Sequence, residues 1–286
     1  MLQLPLPQDE NGIPFVPVKV FDLCISQIRD ARLKARLLRI RNLIASAAAD
    51  YDVAATAARL WELPAQTHVG LVTAREMMDV YSLRMVPKTQ PGRPVYDKIL
   101  NSPKHGRCPL CDVGTANTLD HHLPKSSYPA LAVTPNNLVP SCQWCQSAKM
   151  DAGAASAGDQ TFHPYFENFQ SAVWLHAAVV EGVPAAFEFS VHAPSNWNTT
   201  VVQRLNSHLS TFKLPQLYSS NAGSVLAGIR SRLAKLLGTG GAEAVRNHLQ
   251  EEVESWEKES TNSWEAAMYR AAVSSDWFCA GGFAGR

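Results

Sequence analysis

The chain has 286 residues, with 26 Lys and Arg against 25 Asp and Glu, for a formal net charge of +1. That length excludes a peptide-sized scaffold and suggests two or three modules, and the near-neutral total excludes a histone-like polycation. Hydrophobic residues make up 46% and charged residues 18%, the latter below the roughly 25% of average soluble domains, so the chain should fold and cover much of its surface with contacts, a partner subunit included.

The opening Met1-Leu2-Gln3-Leu4-Pro5 lacks a basic segment followed by an apolar run, and no window is apolar enough to span a bilayer. The expectation is an unsecreted, cytoplasmic protein. From Val20 to about Ala49, apolar residues recur at three- and four-residue intervals with no Gly or Pro, which predicts one long helix. Shorter helices are predicted over Val53 to Leu63 and Thr73 to Met85, the second capped by Thr73 with Glu76 three residues on. Pro87, Pro91, Gly92 and Pro94 then mark a boundary near residues 86 to 95.

Cys108-Pro-Leu-Cys111 and Cys142-Gln-Trp-Cys145 follow, framing Leu119-Asp120-His121-His122 and Asn137-Leu138-Val139-Pro140. A C-x-x-C turn presents two sulfurs to one ion, so two such turns complete a tetrahedral zinc shell. The remaining cysteines, Cys24 and Cys279, stand alone, a pattern that fits metal thiolates in a reducing compartment better than a disulfide framework. A closed four-sulfur shell has no open position, so this zinc would be structural.

Beyond the cysteines, Asp151 to Gln160 is small and polar, a loop by composition. Trp174 to Val180 and Ala186 to His192 flank a Gly-Pro turn and predict a β-hairpin. Helical patterns follow at about 197 to 213, 222 to 237, 241 to 259 and 262 to 273, broken at Pro215 and Gly238-Thr239-Gly240-Gly241. Trp174, Trp197, Trp256, Trp264 and Trp277 read as core residues rather than base-stacking platforms. No phosphate-loop signature appears.

Charge is segregated along the chain. Residues 19 to 44 and 84 to 107 are basic and residues 243 to 265 acidic, so one face could attract phosphate; solvated helix faces are the alternative.

The run LDHHLPKS, then NLVPSC, then CQWCQSAK resembles the zinc-bearing form of the HNH endonuclease family over about residues 96 to 165. The resemblance implies an α+β, mostly α protein with a central ββα-metal module at residues 96–170, between an N-terminal helical region at 1–95 and a β-hairpin plus helical region at 171–286. It implies structural zinc on Cys108, Cys111, Cys142 and Cys145, and a catalytic Mg²⁺ or Mn²⁺ on Asp120. His121 matches the general base and Asn137 the residue that pins the loop. Lys125 and Lys149 match phosphate-approaching lysines. The family's last ligand, His or Asn after the fourth cysteine, is Gln146 here, and Met150 replaces the usual glycine. His163 is the alternative ligand, while His122 and His105 read as packing and surface residues.

The function implied is hydrolysis of phosphodiester bonds in DNA, with RNA left open. The layout resembles HNH subunits of bacterial antiphage systems such as Septu, which implies a separate ATPase partner. The competing reading is a non-catalytic zinc-bearing nucleic-acid-binding or scaffold subunit with a degenerate site.

Overall fold

The structure is a computed structural model that describes residues 2–151 and 153–285. The chain packs as two compact units, Met1–Glu167 and Asn168–Arg286. The first holds helices α1 (Pro17–Ile25), α2 (Ala31–Arg39), α3 (Arg41–Thr56), α4 (Ala74–Arg84), α5 (Arg93–Leu100) and α6 (Gln143–Lys149). Its strands are β1 (His68–Val69), β2 (Val72–Thr73), β3 (Thr118–His121) and β4 (Leu138–Ser141), paired antiparallel as β1–β2 and β3–β4.

The predicted single helix from Val20 is three. Asp30 accepts hydrogen bonds from the Arg32 and Leu33 backbone N–H groups and caps α2, while Lys34 Nζ donates to the Ser26 carbonyl at 2.8 Å. Side-chain capping at both sides of the break stabilises a turn that no Gly or Pro announces. Folding α1 and α2 back on α3 brings Phe21, Leu37 and Ile44 into one core. The helix predicted over Val53 to Leu63 is likewise truncated: α3 ends at Thr56, Ala58 takes a positive φ, and a 3₁₀ turn covers Leu60–Glu62. By contrast α4 starts as expected, with the reciprocal Thr73–Glu76 capping box formed.

The core explains why the N-terminal helices and the cysteine-framed segment share one unit. Phe21, Leu37, Met77, Tyr96, Leu119 and Leu138 belong to a single buried cluster that joins α1, α2, α4, α5, β3 and β4. A two-stranded ladder cannot bury a face by itself, so the helices supply its core. At Gly92 a side chain would meet Cys24 Sγ at 2.7 Å and the Arg84 carbonyl at 2.9 Å, so the α4–α5 connection passes where only glycine fits.

The second unit contains the predicted hairpin, β5 (Leu175–Val180) against β6 (Ala186–Val191), followed by α7 (Thr199–Thr211), α8 (Leu214–Glu259), α9 (Trp264–Ser274) and α10 (Asp276–Cys279). Pro215 falls in the first turn of α8, where its missing N–H costs no hydrogen bond. Helix continues past Gly238 and Gly240 and is interrupted only at Gly241, with φ +65°. Trp174 and Trp264 are buried, as their spacing predicts. Asn262 Oδ1 accepts from the backbone N–H groups of Trp174 and Leu175, fixing the start of β5.

Among residues 151 to 160, Ala152 lies outside the described residues, and the rest form no regular element beyond a 3₁₀ turn at Ala157–Asp159. No helix among the described residues is long and apolar enough to cross a membrane.

Candidate functional site

The strand pair β3–β4 is a regular antiparallel ladder, with Thr118 opposite Ser141, Leu119 opposite Pro140, Asp120 opposite Val139 and His121 opposite Leu138. In such a ladder alternate residues turn their backbone groups away from the partner strand. Pro140 occupies one of these outward positions, which tolerates its missing N–H. Side chains of the surrounding elements take up the outward groups. The Tyr81 hydroxyl donates to the Leu119 carbonyl at 3.0 Å, the Leu119 N–H donates to the Tyr96 hydroxyl at 3.3 Å, and the Tyr165 hydroxyl donates to the Leu138 carbonyl at 2.7 Å.

Regular pairing puts Asp120 and His121 on opposite faces. The bulge that would bring both to one face is not present in this register. Asp120 faces the end of α6, where Lys149 Nζ lies 3.1 Å from Oδ2 and 2.6 Å from the His121 carbonyl. Lys149 is buried, with 5% of its side chain exposed against 13% for Asp120. Asp120 Oδ1 has no hydrogen-bond partner among the described residues.

His121 packs edge-on against the Tyr81 ring, centroids 4.5 Å apart, and its Nε2 lies 2.8 Å from the Ala132 carbonyl. A carbonyl can only accept, so Nε2 carries the proton and Nδ1 keeps the lone pair. Burial is the main cause holding this imidazole down to a pKa of about 3, with the charges of Lys125 and Lys149 acting in the same direction. It is therefore neutral at physiological pH. Lys125 is half-buried, its ammonium 5.6 Å from the centre of the Tyr81 ring.

Asn137 is fully buried. Its Oδ1 accepts from the Leu123 N–H at 2.8 Å, and its Nδ2 donates to the Leu123 carbonyl at 3.0 Å and the Leu131 carbonyl at 3.3 Å. These bonds pin both ends of the loop between β3 and β4, the loop that supplies the Ala132 carbonyl. Spacing alone offered no sign of that carbonyl, or of the Tyr81 and Tyr96 hydroxyls, because all are long-range partners.

His163 is fully buried. Its Nδ1 accepts from the Tyr165 N–H at 3.2 Å, so its Nε2–H donates to the Tyr51 hydroxyl at 2.7 Å. Both ring nitrogens are thereby engaged away from Asp120. His122 lies against it, ring centroids 4.3 Å apart. His105 is exposed and Gln146 half-exposed on α6.

The four cysteines form the one group of three or more His, Cys, Asp and Glu side chains placed to hold a metal ion among the described residues. Their sulfurs lie within 4.8 Å of one another, and Cys111 Sγ to Cys142 Sγ is 3.7 Å. A tetrahedron with zinc–sulfur bonds of about 2.3 Å has edges of about 3.8 Å, so the cluster fits zinc. The first C-x-x-C turn is shaped by the Asp112 N–H donating to the Cys108 carbonyl and the Cys108 N–H to the Gly114 carbonyl, both 2.8 Å. Cys142 stands at the N-cap of α6, so the second turn opens the helix.

Fold and site together define a mostly helical α+β protein built around a buried four-cysteine group able to hold a metal such as zinc. The chain is 31% identical over 232 residues to Protein ea31 of Escherichia phage lambda, a match covering 76% of this chain and 78% of that protein. It belongs to the ea31 family. No family model matches the chain, and no solved structure does.

Proposed function

We propose that this protein is an HNH-type, metal-dependent endonuclease that hydrolyses DNA phosphodiester bonds, with a zinc-stapled strand–strand–helix module as its catalytic core. The observation that carries the reading is the state of His121. Its protonated Nε2 is held by the Ala132 carbonyl, and its Nδ1 lone pair has no partner among the described residues. That is the tautomer and charge state a general base needs before it takes a proton from an attacking water.

Asp120 and the Gln146 amide would hold a Mg²⁺ or Mn²⁺ ion, and the fit rests on the open Oδ1 of Asp120 and the hard oxygen chemistry of both donors. When bound, such an ion neutralises charge developing on the phosphate and the leaving 3′ oxygen. Asn137 acts as a positioning residue by fixing the loop that carries the Ala132 carbonyl. Lys149 keeps β3 and α6 together through Asp120 and the His121 carbonyl. A role in antiphage defence beside a separate ATPase rests on the resemblance alone.

A second reading, a non-catalytic zinc-bearing nucleic-acid-binding or scaffold subunit, is favoured by two observations. Lys149 already neutralises Asp120, and His121 is only 4% exposed. A plasmid-cleavage assay with Mg²⁺, Mn²⁺ or chelator separates the two. On the nuclease reading the wild type nicks plasmid with metal, His121→Ala retains its fold and does not, and Gln146→Asn cleaves as well or better. Full cleavage by purified His121→Ala would remove His121 as the base; no cleavage by any form, with nucleic acid still bound, would leave the scaffold reading.

A further inference from the structure

With Lys149 enclosed in an ion pair, the phosphate backbone of a substrate needs other cations to hold it. The two basic runs meet at one place. Ser26, Gln27, Arg29 and Leu33, from the α1–α2 turn and the start of α2, line an open cleft of about 800 Å³ together with Arg84 at the end of α4 and Gln90 beyond it. No partner is found for the guanidinium of Arg29 or of Arg84 among the described residues, and Arg29 is exposed. Lys34 adds a third positive charge at the rim through its bond to the Ser26 carbonyl.

The carboxylate in the lining is Asp30, and it is committed to capping α2. The next acid along α1, Asp22, is paired with Arg41 at 2.6 Å. The cleft is therefore cationic, polar and too open to enclose a small anion. Its position relative to the site follows from α4. Tyr81, whose ring touches His121, stands three residues before Arg84, so the two side chains lie one helical turn apart on neighbouring parts of one face.

We propose that this cleft is a docking site for the phosphodiester backbone of a nucleic-acid duplex, with Arg29 and Arg84 as its phosphate contacts and α4 aligning the bound strand with His121. The proposal rests on the nuclease reading for the identity of the polyanion. Its geometry and charge stand separately.

The test is fluorescence anisotropy of a short labelled DNA duplex against salt, in a His121→Ala background so that binding is read without cleavage. Arg29→Glu/Arg84→Glu is expected to weaken binding at least about tenfold near physiological salt and to lower the slope of log affinity against log salt by about two, one for each lost phosphate contact. Arg29→Gln/Arg84→Gln should give a smaller loss in the same direction. Arg75→Glu, on the first turn of the same α4 and paired with Asp79, is the control and should change little. Wild-type affinity and slope in both double variants, with circular dichroism melts unchanged, would overturn the site. So would an equal loss in Arg75→Glu, or binding to anionic lipid vesicles in place of the duplex. Cleft-dependent binding by a protein that never cleaves would sustain the docking site and remove the nuclease reading instead.

Discussion

Lys149 Nζ bridges Asp120 Oδ2 and the His121 carbonyl, so one buried ammonium ties the last residue of α6 to the end of β3. Removing one member of a buried ion pair strands the other charge, at a cost of about 3–5 kcal/mol when both are fully enclosed. Asp120 retains some exposure, so Lys149→Met should cost about 2–3 kcal/mol in urea unfolding. Adding Asp120→Asn should recover part of that loss. A Lys149→Met protein as stable as wild type would show that the pair contributes nothing.

The four-cysteine cluster predicts coupled loss of metal and fold. Cys142→Ser should release zinc, measured by atomic emission on the purified protein, and lower the unfolding midpoint, because binding free energy at a structural site is folding free energy. Gly114→Ala should act similarly without touching a ligand, since the added methyl would lie 2.7 Å from Cys142 Cβ and 2.8 Å from its sulfur. Cys24 is the contrast. Burial pushes its thiol up to about 12, so it should resist alkylation in the folded protein whether or not zinc is present.

Met150 closes α6 with φ +49° and ψ −130°, a conformation suited to glycine, and its side chain is 74% exposed. Little packing is lost on truncation, while backbone strain of about 1 kcal/mol or more is relieved. Met150→Gly is therefore expected to raise stability by up to about 1 kcal/mol, read by chemical denaturation. A clear decrease would mean that the methionine side chain makes a compensating contact.

Acid sensitivity should centre on Glu76. The Arg36 guanidinium holds its carboxyl down to about 2 from 4.5, with the Thr73 cap assisting and partial burial opposing. A depressed carboxylate contributes stability that is complete above pH 4.5 and is lost as pH falls through 2. Both side chains are about one-third or one-quarter exposed, so solvent screening reduces the pair to about 1 kcal/mol. Arg36→Ala should lower the urea midpoint at neutral pH and converge with wild type as pH approaches 2. A difference that persists unchanged into acid would point to the Arg36 bond with the Leu71 carbonyl instead.

Local signals in the amino-acid order were enough to determine the cysteine pairs, the Thr73–Glu76 cap, the hairpin after Trp174 and the helices that follow it. Each depends on neighbours a few residues apart: ligand spacing, alternation, capping. The break at Asp30 escaped the same reasoning because it is stabilised by caps that become favourable only when Phe21, Leu37 and Ile44 share a core. The candidate histidine was visible in the run LDHHLPKS, but its protonation was not. Only the folded chain decided that Ala132 would fix the proton on Nε2, that Lys149 would neutralise Asp120, and that Arg29 and Arg84 would face one cleft. Those outcomes depend on burial and on contacts between distant residues, and neither composition nor spacing encodes the dielectric or the partner that a side chain meets after folding.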